Sequence, residues 1–193
     1  METMLFKLFI KPQATISSLI SKGSKFLSFP FVGFFLIAFA EGYERTVTRF
    51  SDLSSISLVG ITFLLALLVG VWVWAGFLGG IIYLSSRLFR GKPGFLDTVN
   101  AIGLAFVWPG MLAFLASILV IFGGYRGEDD LSALSAIGFL LQIIAGLWGL
   151  YNTILAIKSH HEFGWAKAIS AYTLPFVVII LAVSAFMLIV LPK

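Results

Sequence analysis

The chain has 193 residues, of which 60% are hydrophobic and 11% are charged, with a formal net charge of +4 at pH 7. Soluble globular domains carry about 25% charged residues, so this composition excludes a water-facing domain of useful size. The chain contains no cysteine, which excludes disulfides, thiolate metal sites and thiol catalysis. These values together indicate a single integral membrane domain.

Five apolar segments predict five transmembrane helices, because each is near or above the length of about 20 residues that crosses a bilayer. The windows are Phe26 to Gly42, Ile56 to Tyr83, Ala101 to Gly124, Leu131 to Ile157 and Ile169 to Leu191. The predicted fold is therefore all-α, a polytopic bundle of five transmembrane helices. Residues 1–25 form its N-terminal segment and residues 26–193 the membrane domain.

The N-terminal segment contains a predicted amphipathic helix. Pro12 suits the first turn of a helix and Gly23 suits the position after the last turn. Between them Ile16, Leu19 and Ile20 share one face at helical spacing. We expect this helix to lie in the membrane interface. It would serve either as a lipid sensor or partner-docking surface, or as a strut that packs on the bundle.

The distribution of basic residues predicts the orientation of the chain. Four lysines precede the first span, and five further basic residues lie in the loops between spans 2 and 3 and between spans 4 and 5. The opposite side carries Arg45, Arg49, Arg126 and Lys193. Cytoplasmic loops are enriched in lysine and arginine, so the N-terminus is expected in the cytoplasm and the C-terminus outside.

The basic side is a candidate lipid or partner face. Lysine and arginine close to a membrane surface each contribute about 1 kcal/mol of attraction to anionic headgroups. The alternative is that these residues act only as topology signals. No nucleic-acid module is present, and a nucleic-acid partner is not expected. The candidate residues are Lys11, Lys22, Lys25, Arg87, Arg90, Lys92, Lys158, His161 and Lys167.

A polar groove along spans 1 and 4 is a second candidate site, formed by Glu41, Arg45, Gln142 and Asn152. The alternative for Gln142 and Asn152 is that they make hydrogen bonds between helices. If the first helix begins at Pro30, Glu41 lies at membrane depth with Arg45 one turn away as its partner. If the helix begins one turn earlier, Glu41 reaches the outer interface. The cores of spans 2 to 5 contain no ionisable residue, which argues against proton pumps and ion-coupled carriers.

The small residues and prolines within the spans are expected to have structural roles rather than chemical ones. Small residues allow close helix contacts, and we expect such contacts at two groups of positions. Pro109 and Pro175 interrupt spans 3 and 5, where a proline either kinks the helix or exposes carbonyl groups to a site. The small residues are Gly76, Gly79 and Gly80 in span 2, and Ala145, Gly146 and Gly149 in span 4.

No catalytic or metal-binding motif is recognised in the sequence. His160, His161 and Glu162 are adjacent, but side chains of neighbouring residues diverge and the HExxH spacing is absent. Phosphate-binding glycine loops and nucleophile elbows are also missing. We therefore expect no enzymatic activity and no cofactor.

Two loops carry patterns of basic, glycine, proline and tryptophan residues. The stretch Arg87-Leu-Phe-Arg-Gly-Lys-Pro-Gly-Phe95 with Pro109 downstream is similar to the pattern that follows the second span of Yip-domain proteins, the Ypt/Rab-interacting membrane family. Trp148, Ile154-Leu-Ala-Ile-Lys158, His161 and Lys167-Ala168, with Pro175 beyond, resemble its later pattern. Two positions differ: Glu162 stands where glycine is usual, and Gly164 where serine is usual.

The resemblance implies a compact, prokaryotic-type member located in the cell's inner membrane. Such a protein would act without catalysis in membrane organisation or trafficking-like processes, by binding lipids or other membrane proteins, with self-association as a further option. The chain lacks the Asp-Leu-Tyr-Gly-Pro motif of eukaryotic members, so the resemblance does not carry over binding of Rab-type GTPases. The rival interpretation is a lipid translocator or small-molecule transporter that uses the polar groove.

Overall fold

The computed structural model describes residues 2–21, 28–49, 55–123 and 132–190, and every regular element within these ranges is a helix. We number the helices in chain order. They are α1 (Glu2–Ile10), α2 (Pro12–Ser21), α3 (Ser28–Arg49), α4 (55–88), α5 (Phe95–Ala105), α6 (Val107–Phe122), α7 (Ala133–His160) and α8 (Trp165–Val190).

The described helices provide three spans, or four if a bent pair is counted. Three stretches are long and apolar enough to cross a bilayer: Ser57–Leu88, Ala133–His160 and Trp165–Met187. Helices α5 and α6 together meet the same criterion but are bent by 48°. In α3 the apolar stretch among the described side chains is Pro30–Gly42, which is shorter than a span. An all-helical membrane bundle is confirmed, whereas the fifth span and the orientation remain predictions.

Helices α1 and α2 form an N-terminal unit that packs on the bundle. Helix α2 begins at Pro12, as predicted, because proline lacks the N–H that a first-turn position leaves unpaired. Ile16 and Leu19 are buried, in a cluster with apolar residues of α5 and with Ala156 of α7. The predicted face thus packs as a strut. Its position in the membrane interface remains a prediction, and Gly23 lies outside the described residues.

Helix α4 contains two π-helical segments that were not predicted from the sequence. They are Ala66–Gly70 and Trp74–Leu78, separated by one short α-helical stretch. Next to the first segment the backbone passes close to α3, since a Cβ built on Gly70 would lie 2.6 Å from Ala38 Cβ. Because π-helical turns hold more residues than α-helical turns, they change which side chains face a neighbouring helix.

Helices α3 and α5 cross with their backbones almost in contact. A Cβ on Gly33 would lie 2.0 Å from the carbonyl oxygen of Gly103, and a Cβ on Gly103 would lie 2.6 Å from Pro30 Cβ. Both glycines are therefore required by space, as in other close helix contacts of membrane proteins. Pro30 lies in the first described turn of α3 and is buried at this crossing.

The close contact predicted for span 2 is made by one of its three glycines. A Cβ on Gly79 would lie 2.7 Å from Val99 Cγ2, so α5 approaches α4 closely at this residue. A Cβ on Gly76 would have no neighbouring atom within 4 Å, and a Cβ on Gly80 would meet only the Phe95 ring at 3.8 Å. The predicted close contact at Gly76 was wrong, because this residue faces open space, and Gly80 makes only an ordinary van der Waals contact with Phe95 at the start of α5.

The contact predicted for α7 is confirmed for two of its three small residues. Ala145 is buried, and a Cβ on Gly149 would lie 3.0 Å from the Phe106 ring. Gly146 is exposed and faces open space. A further close approach, not predicted, lies at Gly138, where a Cβ would stand 2.6 Å from Val120 Cγ2. Helix α7 therefore packs against α6 along one side only.

Candidate functional site

Two loops meet at one end of the bundle, which we call the basic end. It consists of loops 89–94 and 161–164 with the adjoining ends of α4, α5, α7 and α8. Lys92 Nζ lies 3.7 Å from Glu162 Oε2, and His161 Nε2 lies 3.3 Å from Thr98 Oγ1. Gly91 touches the His161 ring, since a Cβ at Gly91 would lie 2.4 Å from Nδ1. These contacts bring the two loops together at one end of the bundle.

The basic residues of this end differ in what their side chains contact. Arg87 donates from Nη1 to the carbonyl oxygen of Gly91 at 3.0 Å, which closes the first loop. The Lys158 ammonium lies 4.4 Å from the centre of the Trp165 ring, a cation–π contact. Arg90, Lys92 and Lys167 are exposed to the surroundings. These three side chains are exposed cations at the basic end.

Two loop residues of the basic end have left-handed backbone. Arg90 has φ 64° and Glu162 has φ 55°. Glycine adopts this conformation without strain, whereas a Cβ makes it unfavourable. The backbone thus gives a physical reason for the glycine that Yip-domain proteins usually carry at the position of Glu162. The exposed ion pair to Lys92 compensates little, because such pairs contribute about 0–1 kcal/mol.

His161 is buried between the two loops and is not part of the exposed surface. Its side chain is 5% exposed and its ring stacks on Phe163. Thr98 Oγ1 donates its hydrogen to the Gly94 carbonyl, so in the contact with His161 it accepts from Nε2–H. Burial lowers the pKa of His161 to about 4, and the nearby charges of His160 and Arg87 act in the same direction. The neutral ring therefore joins the loops and offers no charge to an anionic headgroup.

A small open cleft of about 380 Å³ lies beside this histidine. Asp97, Lys92 and Glu162 line it together with both histidines. Within the described ranges no group of three or more histidine, aspartate or glutamate side chains has the arrangement of a metal site. We therefore treat the cleft as part of the loop packing.

The remaining residues of the predicted lipid face lie in the N-terminal segment. Lys11 stands at the junction of α1 and α2, where its N–H bonds to the Lys7 carbonyl and its carbonyl accepts from Thr15. Its side chain is exposed. Lys22 and Lys25 lie outside the described residues. Lys11 is thus held on a helical scaffold, separate in sequence from the basic end.

The four residues of the predicted groove have different surroundings. Gln142 Nε2 donates to Ser117 Oγ at 3.1 Å, which links α7 to α6. Glu41 is exposed on α3, and the side chain of Arg45 lies outside the described part of the structure. Asn152 bonds to the Ala105 carbonyl at the α5–α6 junction. The groove remains a prediction, and the observed contacts of the two amides stabilise helix packing.

Asn152 pairs with a carbonyl group that a proline leaves unpaired. Pro109 has no N–H to donate to the Ala105 carbonyl four residues earlier, and the chain bends here, at Phe106. Asn152 Nδ2 donates to the Ala105 oxygen at 3.4 Å instead. The Oδ1 atom of the same amide is buried and has no hydrogen-bond partner among the described residues. The broken span thus exposes a carbonyl, but to a side chain of α7.

Asn152 also lines a second cleft, which we call the N-terminal cleft, of about 660 Å³ between the α1–α2 junction and α7. The Phe9 ring packs edge-on against both Trp108 and Trp148, with centroids 5.4 Å apart in each pair. Tyr151 stacks on Trp165 at 6.5 Å. The lining residues include Phe9, Ile10, Lys11, Ala14, Trp148, Tyr151, Asn152 and Trp165.

Sequence reasoning missed this cleft. One signal was present: Tyr151 and Asn152 follow Trp148 by three and four residues, so all three can share one side of a helix. The other wall comes from the N-terminal helices, more than 130 residues earlier in the chain. Periodicity within a segment carries no information about such a contact.

Long apolar helices joined by short charged loops define a polytopic integral membrane protein. Within that class, the family model of the Yip1 domain matches residues 6–187, nearly the whole chain. The chain therefore belongs to the Yip1-domain family, as its loop patterns indicated. No curated protein and no solved structure shows a significant match.

Proposed function

We propose that this protein is a non-enzymatic, multi-pass membrane protein that acts in membrane organisation or trafficking-like processes by binding lipids. Its basic end would face the cytoplasm of a prokaryotic cell and contact anionic headgroups. Other membrane proteins, including a second copy of the chain, are further partners in this proposal. The Yip1-domain match supports the class of membrane protein, and the basic end supports the lipid function.

The observation that carries the proposal is the meeting of loops 89–94 and 161–164. The ion pair between Lys92 and Glu162 and the His161–Thr98 contact bring Arg90, Lys92 and Lys167 to one end of a membrane bundle. Basic residues at the end of a membrane helix bundle lie close to the phosphate layer, where their attraction adds up. Trp165 at the same end suits the interfacial position that tryptophan prefers.

The proposal is tested by the lipid selectivity of the reconstituted full-length protein. Brominated lipids quench tryptophan fluorescence on contact, so brominated phosphatidylglycerol and brominated phosphatidylcholine report which lipid surrounds the protein. We expect phosphatidylglycerol to be preferred, and the preference to fall as salt screens the charges. In the double variant Lys92→Gln, Lys167→Gln the preference should fall by up to about 5-fold for each lysine removed.

The matched control removes the same charge from the other side of the predicted topology. Arg126→Gln, Lys193→Gln also lowers the net charge by two, but both positions lie outside the described residues and away from the predicted basic side. It should leave most of the selectivity intact. Equal loss in both double variants, or no preference for the anionic lipid in the unaltered protein, would contradict the proposal.

A further inference from the structure

We propose that the N-terminal cleft binds one glycerophospholipid whose headgroup carries an N–H or O–H donor. The phosphate would lie at the Lys11 ammonium and the donor would bond to Asn152 Oδ1. This inference deepens the proposed lipid function and rests on it. In the cleft one lipid would be held by specific contacts, whereas the basic end would attract headgroups by charge.

The first argument is an unpaired, buried acceptor on a residue that lines the cleft. Asn152 is 3% exposed, and its Nδ2 is already used by the Ala105 carbonyl. This bond fixes the orientation of the amide, so the atom left without a partner among the described residues is the acceptor Oδ1. A buried acceptor without a hydrogen bond is unfavourable, and a ligand that donates to it is favoured for that reason.

The second argument is the charge at the mouth of the cleft. Lys11 lines the same cleft and its side chain is exposed, so its flexible stem can direct the ammonium to a phosphate. A phosphate group and a hydrogen-bond donor a few atoms apart are the two polar features of phosphatidylethanolamine and phosphatidylglycerol. Phosphatidylcholine has the phosphate but no N–H or O–H donor.

The third argument is the apolar rim. Phe9, Ile10, Tyr151 and Trp165 are each about half exposed around the opening. Asn152 lies eight residues before the end of α7, about 12 Å from the basic end at 1.5 Å per residue. In a membrane-embedded bundle this rim faces lipid, which is present at a far higher local concentration than any soluble ligand. An acyl chain can cover the rim while the headgroup enters the cleft.

The test is lipid binding to the delipidated full-length protein in neutral detergent, measured by native mass spectrometry. The lipids form a series with identical acyl chains: phosphatidylethanolamine, its mono- and dimethyl derivatives, and phosphatidylcholine. Their net charge is the same, but only the last lacks an N–H. We expect one tightly bound lipid for the first three and a loss of roughly 3–10-fold in affinity at the last methylation step.

Two variants locate the site. Ala14→Trp places a large side chain at an exposed residue that lines the cleft and should abolish the bound lipid. Ala136→Trp makes the same change at an exposed residue near the opposite end of α7 and should leave binding unchanged. Lys11→Gln should weaken binding several-fold for all four lipids, because all four carry the phosphate.

Equal affinity for phosphatidylethanolamine and phosphatidylcholine would overturn the proposal, as would unchanged binding in Ala14→Trp. No bound lipid in a monodisperse sample of the unaltered protein would also overturn it, and would mean that water or another segment of the chain fills the cleft. The bilayer selectivity of the basic end is measured separately in Ala14→Trp. Retained selectivity together with a lost bound lipid shows that the two lipid functions are distinct.

Discussion

At the residue scale, the most informative pair is Pro109 and Asn152. The sequence indicated a break at the proline, and it suggested Asn152 either as a hydrogen-bond partner between helices or as one side of a groove, without indicating which group it would meet. The structure shows Asn152 donating to the Ala105 carbonyl that Pro109 leaves free. This contact joins two helices through residues that are separated by 47 positions in the chain. Which acceptor a polar side chain meets depends on the bend of another helix, and local sequence does not encode it.

The backbone at Glu162 leads to the first stability prediction. Because this residue has φ 55°, Glu162→Gly should relieve backbone strain and stabilise the protein by about 1 kcal/mol relative to Glu162→Ala. Both variants lose the exposed ion pair to Lys92, so their difference reports the backbone alone. Thermal unfolding of the two purified variants in the same detergent measures it. A Gly variant no more stable than the Ala variant would show that the left-handed conformation is not strained here.

At the element scale, the crossing of α3 and α5 depends on glycine at two positions. The backbone separation leaves no room for a Cβ at Gly33 or Gly103. Sequence reasoning made no prediction for this pair, because the two glycines lie in different segments and neither belongs to a small-xxx-small repeat with its own neighbours. The contacts that were predicted were groups within one helix, and of their glycines Gly79 and Gly149 proved to be the close ones.

Substitution of Gly33 tests this crossing. Gly33→Ala would place a methyl group 2.0 Å from the Gly103 carbonyl oxygen, so α3 must move away from α5. We expect a loss of at least about 1–3 kcal/mol of stability, the usual cost of overpacking. The control is Gly146→Ala on α7, where no atom lies within 4 Å and alanine is the better helix former by about 1 kcal/mol.

Thermal unfolding in detergent compares the two alanine variants with the unaltered protein. Gly33→Ala should melt at a lower temperature, and Gly146→Ala at the same or a slightly higher one. Equal melting temperatures for all three would show that the helices are farther apart than the structure places them.

At the scale of the whole molecule, composition and hydropathy were sufficient to predict an all-helical membrane protein. They were also sufficient to predict the positions of α4, α7 and α8, because a long apolar run in a membrane protein forms a spanning helix. The first window was harder to interpret. Among the described side chains the apolar stretch of its helix is Pro30–Gly42, and the helix continues to Arg49 through a sequence that contains Glu44 and Arg45. Length and composition alone cannot decide whether such a helix crosses the bilayer.

The candidate site, too, was predicted only in part from the sequence. Sequence predicted that the basic residues of two loops share a side of the membrane, and the structure brings those loops into contact. It placed His161 among the exposed cations, whereas the ring is buried and holds the loops together. Charge is visible in a sequence, but burial of a loop side chain depends on how two distant loops pack.

The central claim is that the basic end is one surface on the cytoplasmic side of a multi-pass bundle. The chain has no cysteine, so single-cysteine variants can be labelled in intact cells with a membrane-impermeant maleimide without background. The positions are Lys7, Lys92 and Lys167 for the basic side, and Ser51 and Glu128 for the opposite side, the last two lying outside the described residues.

Cysteines at Ser51 and Glu128 should react in intact cells, and those at Lys7, Lys92 and Lys167 only after the membrane is permeabilised. That pattern would also show that the first helix crosses the bilayer, because Lys7 and Ser51 flank it. Labelling of Lys92→Cys or Lys167→Cys in intact cells, or of the two on opposite sides, would contradict the account.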